Sequence, residues 1–203
     1  MKKTLLLLIA FLFLAGLSYF VPYFKLDVAI SHAVQNLNSQ LFSRIMWLVT
    51  DIGNQPLMVI VVATSSFLLL FTGLRREAAI SSISTAMAVL SGSLIKLIVD
   101  RPRPTADIVR VSVWLSDKSF PSGHTLVFTV FFGFLLYLIF KKSKFSPLNI
   151  ILALVFLSLI VTVGLSRIYL GAHWPSDVLG GYLLGLVWLF ITIKFYNSRH
   201  GQR

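Results

Sequence analysis

Three short polar blocks interrupt an otherwise apolar chain and hold the residues that could do chemistry. They span residues 96–104, 121–124 and 166–177, and they contain two histidines, the carboxylate of Asp177 and several cations. Histidine can act as a nucleophile or carry a proton, and arginine and lysine bind phosphate oxygens. We therefore expect the blocks to form a site for an anionic, phosphate-like group.

The first two blocks have features that suit phosphate binding. Arg103 offers a planar fork for phosphate oxygens, and Lys96 offers a point charge. Ser122 suits the N-cap of a helix, and Gly123 lets the backbone approach a ligand closely. Free N–H groups at such a helix start bind anions, and His124 in the first turn could reach the same ligand. Taken singly, these blocks could equally be a basic stop-transfer cluster and an ordinary capped helix start.

The third block places His173 four residues before Asp177, with Arg167 upstream of both. Side chains four residues apart can lie on the same face of a helix. An aspartate that accepts a hydrogen bond from one ring nitrogen sets the tautomer and leaves the other nitrogen free to attack. The alternative is a helix start at which the helix dipole favours a carboxylate.

A metal site is the rival interpretation of two histidines and an aspartate. Lys96, Arg103 and Arg167 would repel a cation there, and the chain has no His-x-x-x-His or glutamate-bearing zinc motif. We therefore expect no metal and no other cofactor.

The composition is that of an integral membrane protein. Of the 203 residues, 57% are hydrophobic and 12% are charged, whereas a soluble domain carries about 25% charged residues. The length fits a single domain over residues 1–203. Basic loops beside a membrane explain the net charge of +11 better than nucleic acid binding does, because so little polar surface is available. The absence of cysteine excludes disulfides and thiolate chemistry.

Six charge-free stretches predict six transmembrane helices. They span residues 4–24, 52–74, 78–95, 125–140, 145–166 and 178–193. A crossing needs about 20 residues, and the third, fourth and sixth stretches are short for that. Each of these three is cut off by a residue of the polar blocks (Lys96, His124 and Asp177), so we expect the helices to extend into the blocks. We interpret the first stretch as a retained transmembrane helix, because a signal peptide would have a clear cleavage site.

The distribution of lysine and arginine predicts that both termini are cytoplasmic. Six crossings then place all three polar blocks at the extracytoplasmic face. Between the first two crossings, apolar residues recur every three or four positions within 25–51, which predicts an extracytoplasmic amphipathic segment of one helix or two. We expect this segment to pack against the bundle, and a gate for lipid entry is the alternative. The overall prediction is an all-α membrane fold.

Together, the three blocks match the pattern Lys-x6-Arg-Pro, Pro-Ser-Gly-His and Ser-Arg-x5-His-x3-Asp, in order and with the spacing intact. The chain therefore resembles the type 2 phosphatidic acid phosphatase superfamily over about residues 50–195. Its short six-helix form is similar to the bacterial membrane members. The resemblance implies a metal-independent phosphatase in the cell membrane. Its substrate would be a lipid mono- or diphosphate, such as phosphatidylglycerol phosphate or undecaprenyl pyrophosphate.

The resemblance also implies a role for each matching residue. His173 would attack phosphorus and form a phosphohistidine, and Asp177 would orient that ring. His124 would protonate the leaving lipid oxygen and then help to activate water. The phosphoryl oxygens would be held by Lys96, Arg103, Ser122, Gly123 and Arg167.

Two other functions stay open on the sequence alone. The same phosphohistidine could serve a lipid phosphotransferase, and the cations could bind an anion in a non-enzymatic transporter. The expected partners are the lipid phosphate substrate and membrane lipids, with no nucleic acid and no obligate protein partner. The sequence does not distinguish among lipid phosphates as substrates.

Overall fold

The computed structural model describes residues 2–37, 39–142 and 146–198, which form eight α-helices and no β-strand. The helices are α1 (Lys2–Phe20), α2 (Lys25–Gln35), α3 (Gln40–Gly53), α4 (Leu57–Phe71), α5 (Arg75–Val99), α6 (Gly123–Lys142), α7 (Pro147–Tyr169) and α8 (Pro175–Ser198). The predicted all-α architecture is confirmed.

Five of the described helices, α1, α5, α6, α7 and α8, are each long and apolar enough to cross a membrane. The bent pair of α3 and α4, which meet at 66°, counts as a sixth crossing only if both helices belong to one span. The predicted second span, residues 52–74, is therefore corrected, because residues 52–53 finish α3. α4 has 15 residues, about 22 Å of helix against an apolar bilayer core of about 30 Å. Pro56 lies in the break, and it lacks the backbone N–H that a continuous helix would need there.

The three helices that looked short do extend into the polar blocks, as predicted. α5 includes Lys96, α6 includes His124 and α8 includes Asp177. Pro175 suits the first turn of α8, because its missing N–H would have no helical partner at that position. Helix ends therefore set the positions of these three polar side chains.

The predicted amphipathic segment, residues 25–51, folds as two helices, α2 and most of α3, in agreement with its apolar spacing. Ser39 begins α3 by accepting a hydrogen bond from the Phe42 N–H (3.3 Å). Along α2, the polar residues Asp27, Ser31 and Gln35 recur every four positions and are buried. The polar stripe of α2 therefore faces protein, which supports the packing role predicted for this segment.

α6 is the central helix and packs against α5, α7 and α8. Its side chains Phe128, Phe131 and Phe134 are at most 1% exposed. Gly185 on α8 lies so close to α6 that an added Cβ would come within 2.7 Å of the Thr129 Cβ. This close packing holds α8 against α6.

The outer surface of the bundle is strongly apolar. Phe13 on α1, Phe71 on α4, Leu94 on α5 and Leu154 on α7 are all more than 60% exposed. Such surface is unfavourable in water and favourable in hydrocarbon. The exposed faces of these helices therefore suit contact with lipid tails.

Candidate active site

The polar blocks meet at one end of the bundle and line a cavity of about 950 Å³. Six of the eight predicted site residues line it: Lys96, Arg103, Gly123, His124, Arg167 and His173. The other two, Asp177 and Ser122, are fully buried. Residues that are distant in sequence thus converge where the sequence predicted a site.

His173 is 2% exposed, and each of its ring nitrogens has a defined neighbour. Nε2 lies 3.2 Å from Nη1 of Arg103. Because a guanidinium group can only donate, Nε2 must accept, and the ring proton is therefore on Nδ1. Burial, reinforced by the charges of Arg103, Lys96 and Arg167, lowers the pKa of His173 well below its ordinary value. The ring is therefore neutral and carries a lone pair on Nε2.

Asp177 lies beside Nδ1 of His173 without bonding to it directly. The distance from Nδ1 to Oδ2 is 3.7 Å, which is too long for a hydrogen bond. The Ser119 hydroxyl donates to the same Oδ2 (2.5 Å) and lies 3.4 Å from Nδ1. The Trp174 N–H also donates to Oδ2 (2.9 Å). Asp177 can therefore act on the ring both by its nearby charge and through Ser119.

The loop before α6 places a carboxylate between two of the predicted phosphate-binding cations. Asp117 accepts from Lys96 Nζ through Oδ2 (2.6 Å) and from Arg103 Nη2 through Oδ1 (2.5 Å). Burial alone would raise the pKa of Asp117, but hydrogen bonds and charges from Lys96 and Arg103 outweigh it and lower that pKa. The two cations are thus spaced to hold two oxygens of one anionic group, as a phosphoryl group would require.

Arg167 supplies a third cation from the end of α7 and is fully buried. Its Nη1 donates to the Thr50 hydroxyl (3.2 Å), which in turn pairs with the Ser166 hydroxyl (2.9 Å). Within the part of the chain that the structure describes, Arg167 Nε has no hydrogen-bond acceptor. A buried donor of this kind is costly unless a ligand oxygen meets it. The position therefore suits an anionic ligand.

His124 lies in the first turn of α6 and is half-buried. Its Nε2 is 3.0 Å from Oδ1 of Asn54, in the break between α3 and α4. An amide oxygen only accepts, so Nε2 of His124 carries a proton. The ring packs on Gly53 so closely that a Cβ added there would collide with it. The α3–α4 break therefore fixes this ring with a proton on Nε2.

The Pro-Ser-Gly-His block reaches the cavity through its glycine. Gly123 begins α6 and lines the cavity, with open space where a Cβ would stand. Ser122 occupies the predicted N-cap position, but its hydroxyl accepts from the Thr125 hydroxyl (3.0 Å) and its side chain lies outside the cavity lining. The Ser122 N–H donates to the backbone oxygen of Asp177 (3.0 Å). Ser122 thus joins the starts of α6 and α8.

Some polar residues around the site were not singled out from the sequence. They are Asp27, Thr50, Asn54, Arg101, Asp117 and Ser119. The chain has only seven acidic residues, and an acid in so apolar a chain is a functional signal that could have drawn attention to Asp27 and Asp117. Among the described residues, no three His, Asp or Glu side chains are grouped as a metal site would require.

Comparison with known proteins identifies a family. A family model described as the PAP2 superfamily matches residues 77–200, a range that contains all three polar blocks. Phosphatidylglycerophosphatase B from Bacillus subtilis is 27% identical over 201 residues, which cover 98% of this chain and 97% of that protein. Undecaprenyl-diphosphatase from Sulfolobus acidocaldarius is 30% identical over 141 residues, which cover 68% of this chain and 64% of that protein.

Solved structures share the fold. The crystal structure of a transmembrane PAP2 type phosphatidylglycerolphosphate phosphatase from Bacillus subtilis matches with a TM-score of 0.84 at 26% sequence identity, and the match covers 98% of both chains. The crystal structure of LpxE from Aquifex aeolicus matches with a TM-score of 0.66 at 21% identity, covering 84% of this chain and 96% of that one. The first match therefore includes α1 to α4 as well as the polar blocks.

Proposed function

The chain belongs to the PAP2 superfamily, and from this membership we propose that it is an integral membrane lipid phosphatase that acts through a phosphohistidine. One observation carries the proposal. A single cavity joins a cationic end, beside the neutral ring of His173, to an apolar end lined by α4 and α5. A ligand that fits both ends has a phosphoryl group and a hydrocarbon tail.

At the cationic end, Lys96, Arg103 and Arg167 hold the phosphoryl oxygens. The phosphoryl group takes the place of the Asp117 carboxylate at Lys96 and Arg103, so Asp117 moves aside when the substrate binds. The Asp117 side chain is 57% exposed and lies in a loop, so its displacement disrupts no helix. Fixed cations supply the charge stabilisation that phosphoryl transfer needs.

The apolar end suits the beginning of a lipid tail. Its walls come from α4, α5 and α6: Met58, Val59, Val62, Ala63, Ala86, Val89, Leu90, Leu126 and Val127. Val59 and Leu90 are 56% and 58% exposed, so these walls continue onto the lipid-facing surface of the bundle. A volume of about 950 Å³ is large for a small-molecule site. These features favour a lipid phosphate over a soluble phosphate ester.

In the first step, Nε2 of His173 attacks phosphorus. A P–N bond forms while the bond between phosphorus and the lipid oxygen breaks. The leaving oxygen takes a proton from Nε2 of His124, and the negative charge of the bound phosphate keeps His124 doubly protonated until then. Nδ1 of His173 retains its proton, and the charge of Asp177 stabilises the positive ring. The products are a phosphohistidine and the dephosphorylated lipid.

In the second step, water attacks the phosphohistidine from the side that the lipid has left. His124, now singly protonated, takes a proton from this water as the new P–O bond forms. The P–N bond breaks and returns the lone pair to Nε2 of His173. Inorganic phosphate leaves, and both histidines are back in their starting protonation states.

The substrate class is a lipid mono- or diphosphate. Phosphatidylglycerol phosphate and undecaprenyl diphosphate are the first candidates, because relatives of the chain are named for these activities. The enzyme lies in the cell membrane with both termini in the cytoplasm and the cavity at the extracytoplasmic face. The distribution of lysine and arginine supports this orientation. The enzyme acts without a protein partner.

The test is phosphate release from a panel of lipid mono- and diphosphates in detergent with a chelator present. We expect His173→Ala to lower turnover by about a hundred-thousandfold or more, because it removes the nucleophile. Vanadate, which mimics the five-coordinate transition state, should inhibit the wild-type enzyme. The matched control is His32→Ala, since His32 is exposed on α2.

Three results would count against the proposal. Near wild-type turnover by His173→Ala would remove His173 as the nucleophile. Loss of wild-type activity on chelation would contradict a metal-independent reaction. Labelled phosphate that appears on a second lipid, and not as free phosphate, would identify a phosphotransferase.

A further inference from the structure

A chain of buried charges runs from the catalytic carboxylate to the amphipathic segment. Asp177, Arg101 and Asp27 are respectively 0%, 1% and 3% exposed. Arg101 Nη1 donates to Oδ1 of Asp177 (2.5 Å), and Arg101 Nη2 donates to Oδ2 of Asp27 (3.0 Å). The guanidinium group thus bridges the starts of α2 and α8.

Each member of this chain is held in place by further hydrogen bonds. Nε of Arg101 donates to the backbone oxygen of Pro22 (3.0 Å). Asp27 Oδ1 accepts from the Ser176 N–H (2.8 Å), and Asp27 Oδ2 accepts from the Ser176 hydroxyl (2.8 Å). Asp27 therefore contacts the residue next to Asp177 as well as the arginine that bonds to it.

These contacts have an electrostatic consequence for Asp177. A buried carboxylate stays ionised only if donors and a cation compensate for its lost hydration. Arg101 supplies that cation for Asp177. Because Arg101 is also paired with Asp27, the three groups together carry one net negative charge. Oδ1 of Asp177 accepts the hydrogen bond from Arg101. The other oxygen of Asp177, Oδ2, therefore faces Ser119 and His173.

We propose that Asp27, acting through Arg101, is a positioning residue for the nucleophile. It holds Arg101 so that Asp177 keeps an ionised Oδ2 beside Ser119 and Nδ1 of His173. The role rests on the proposed function, in which His173 attacks phosphorus. Asp27 precedes the region matched by the family model, and it gives α2 a part in the chemistry beyond packing.

The test compares Asp27→Asn with Asp107→Asn, a matched control in which an exposed loop aspartate is changed. We expect Asp27→Asn to lower kcat by about 10- to 100-fold with KM within about twofold, because the nucleophile is misplaced while the cavity is intact. Turnover is expressed per folded enzyme, measured as the monodisperse fraction in detergent. A kcat within about threefold of wild type would overturn the proposal.

A double-mutant cycle with Arg101→Lys distinguishes positioning from a separate effect on folding. A lysine point charge cannot bond both carboxylates as the arginine fork does. We expect Arg101→Lys to lower kcat. Asp27→Asn should cause little further loss in the Arg101→Lys background, because both substitutions disrupt the same hydrogen-bonded network of Asp27, Arg101 and Asp177. Fully additive losses would contradict a shared path from Asp27 to Asp177.

A readout without turnover separates this proposal from the proposed function. In 15N spectra of histidine-labelled protein, assigned with His173→Ala, wild-type His173 should show a protonated Nδ1 and a bare Nε2. Asp27→Asn should shift these two signals, and Asp107→Asn should leave them in place. Unchanged His173 signals in Asp27→Asn would refute the positioning role, even for a preparation in which no lipid is hydrolysed.

Discussion

His173 is enclosed by protein, whereas His124 is half-buried at the start of α6, although both line the same cavity. Behind His173 lie Asp177, Ser119 and Arg101, all of them buried. His124 is held instead by the amide oxygen of Asn54, by a hydrogen bond to the Thr50 backbone and by packing on Gly53. One ring is fixed by a charged network, and the other is fixed by a helix break.

The difference matches what the two proposed steps require. A nucleophile needs one tautomer, a neutral ring and a counter-charge for the positive product, and these call for a rigid polar network. A general acid must donate a proton and later accept one, so it needs contact with the leaving group and with water. The surroundings of His173 are therefore suited to forming the bond to phosphorus, and those of His124 to proton exchange.

The largest effect on kcat is expected from a substitution in the charged network behind His173. Asp177→Asn should lower kcat by about ten thousandfold, because an amide cannot balance a positive ring and can stabilise the wrong histidine tautomer. Steady-state kinetics on the preferred lipid phosphate measure this. A loss below about tenfold would mean that the network behind His173 contributes little to the chemistry.

A smaller loss of kcat is expected from a substitution of His124, and the size of this loss should depend on the substrate. His124→Ala should lower kcat by about a hundred- to a thousandfold for a lipid monophosphate, whose alkoxide leaving group needs a proton. The loss should be smaller for a lipid diphosphate, since a phosphate leaving group is less basic. Equal losses for both substrates, measured side by side, would argue against His124 as the general acid.

The protonation state of His173 provides a third test. Because burial and the charges of Arg103, Lys96 and Arg167 lower its pKa well below 6.5, the ring should stay neutral at a pH of about 5.5. There an ordinary histidine is about nine-tenths protonated. A titration followed by 15N shifts measures this directly. A midpoint near the ordinary value would show that the site does not hold the ring neutral.

The smallest expected effect is a gain, in the form of tighter binding of an anionic inhibitor. Asp117 competes with the phosphoryl group for Lys96 and Arg103, and its side chain is largely exposed. Asp117→Asn should tighten vanadate inhibition by about two- to fivefold, the range expected when an exposed ion pair is lost. Weaker inhibition would show that Asp117 helps to bind the anion. Asp100→Asn, at another exposed loop carboxylate, serves as the matched control.

The sequence predicted much of this arrangement because its signals are local. Apolar runs mark the helices, and the short runs that stop at Lys96, His124 and Asp177 correctly indicated that the helices extend to these three residues. The break before α4 was missed because residues 52–74 contain no charge, although Pro56 within them was an available signal.

The contacts that complete the site could not be predicted from periodicity. Asp27 meets Ser176, 149 residues further along the chain, and Asn54 meets His124 across 70 residues. Such pairs depend on how α2, α3 and the later helices pack, and a pattern along one segment contains no information about its distant neighbours. The same limit applies to Ser122, whose place behind the cavity depends on its bond to α8.

The most direct measurement is to trap the covalent intermediate. His124→Ala should slow the hydrolytic step while a lipid diphosphate still phosphorylates the enzyme, so a phosphoryl group should accumulate. Rapid quenching and peptide mass spectrometry should locate it on His173, stable in base and lost in acid. The result that would contradict the account is single-turnover phosphate release with no label on His173, or a label on another residue.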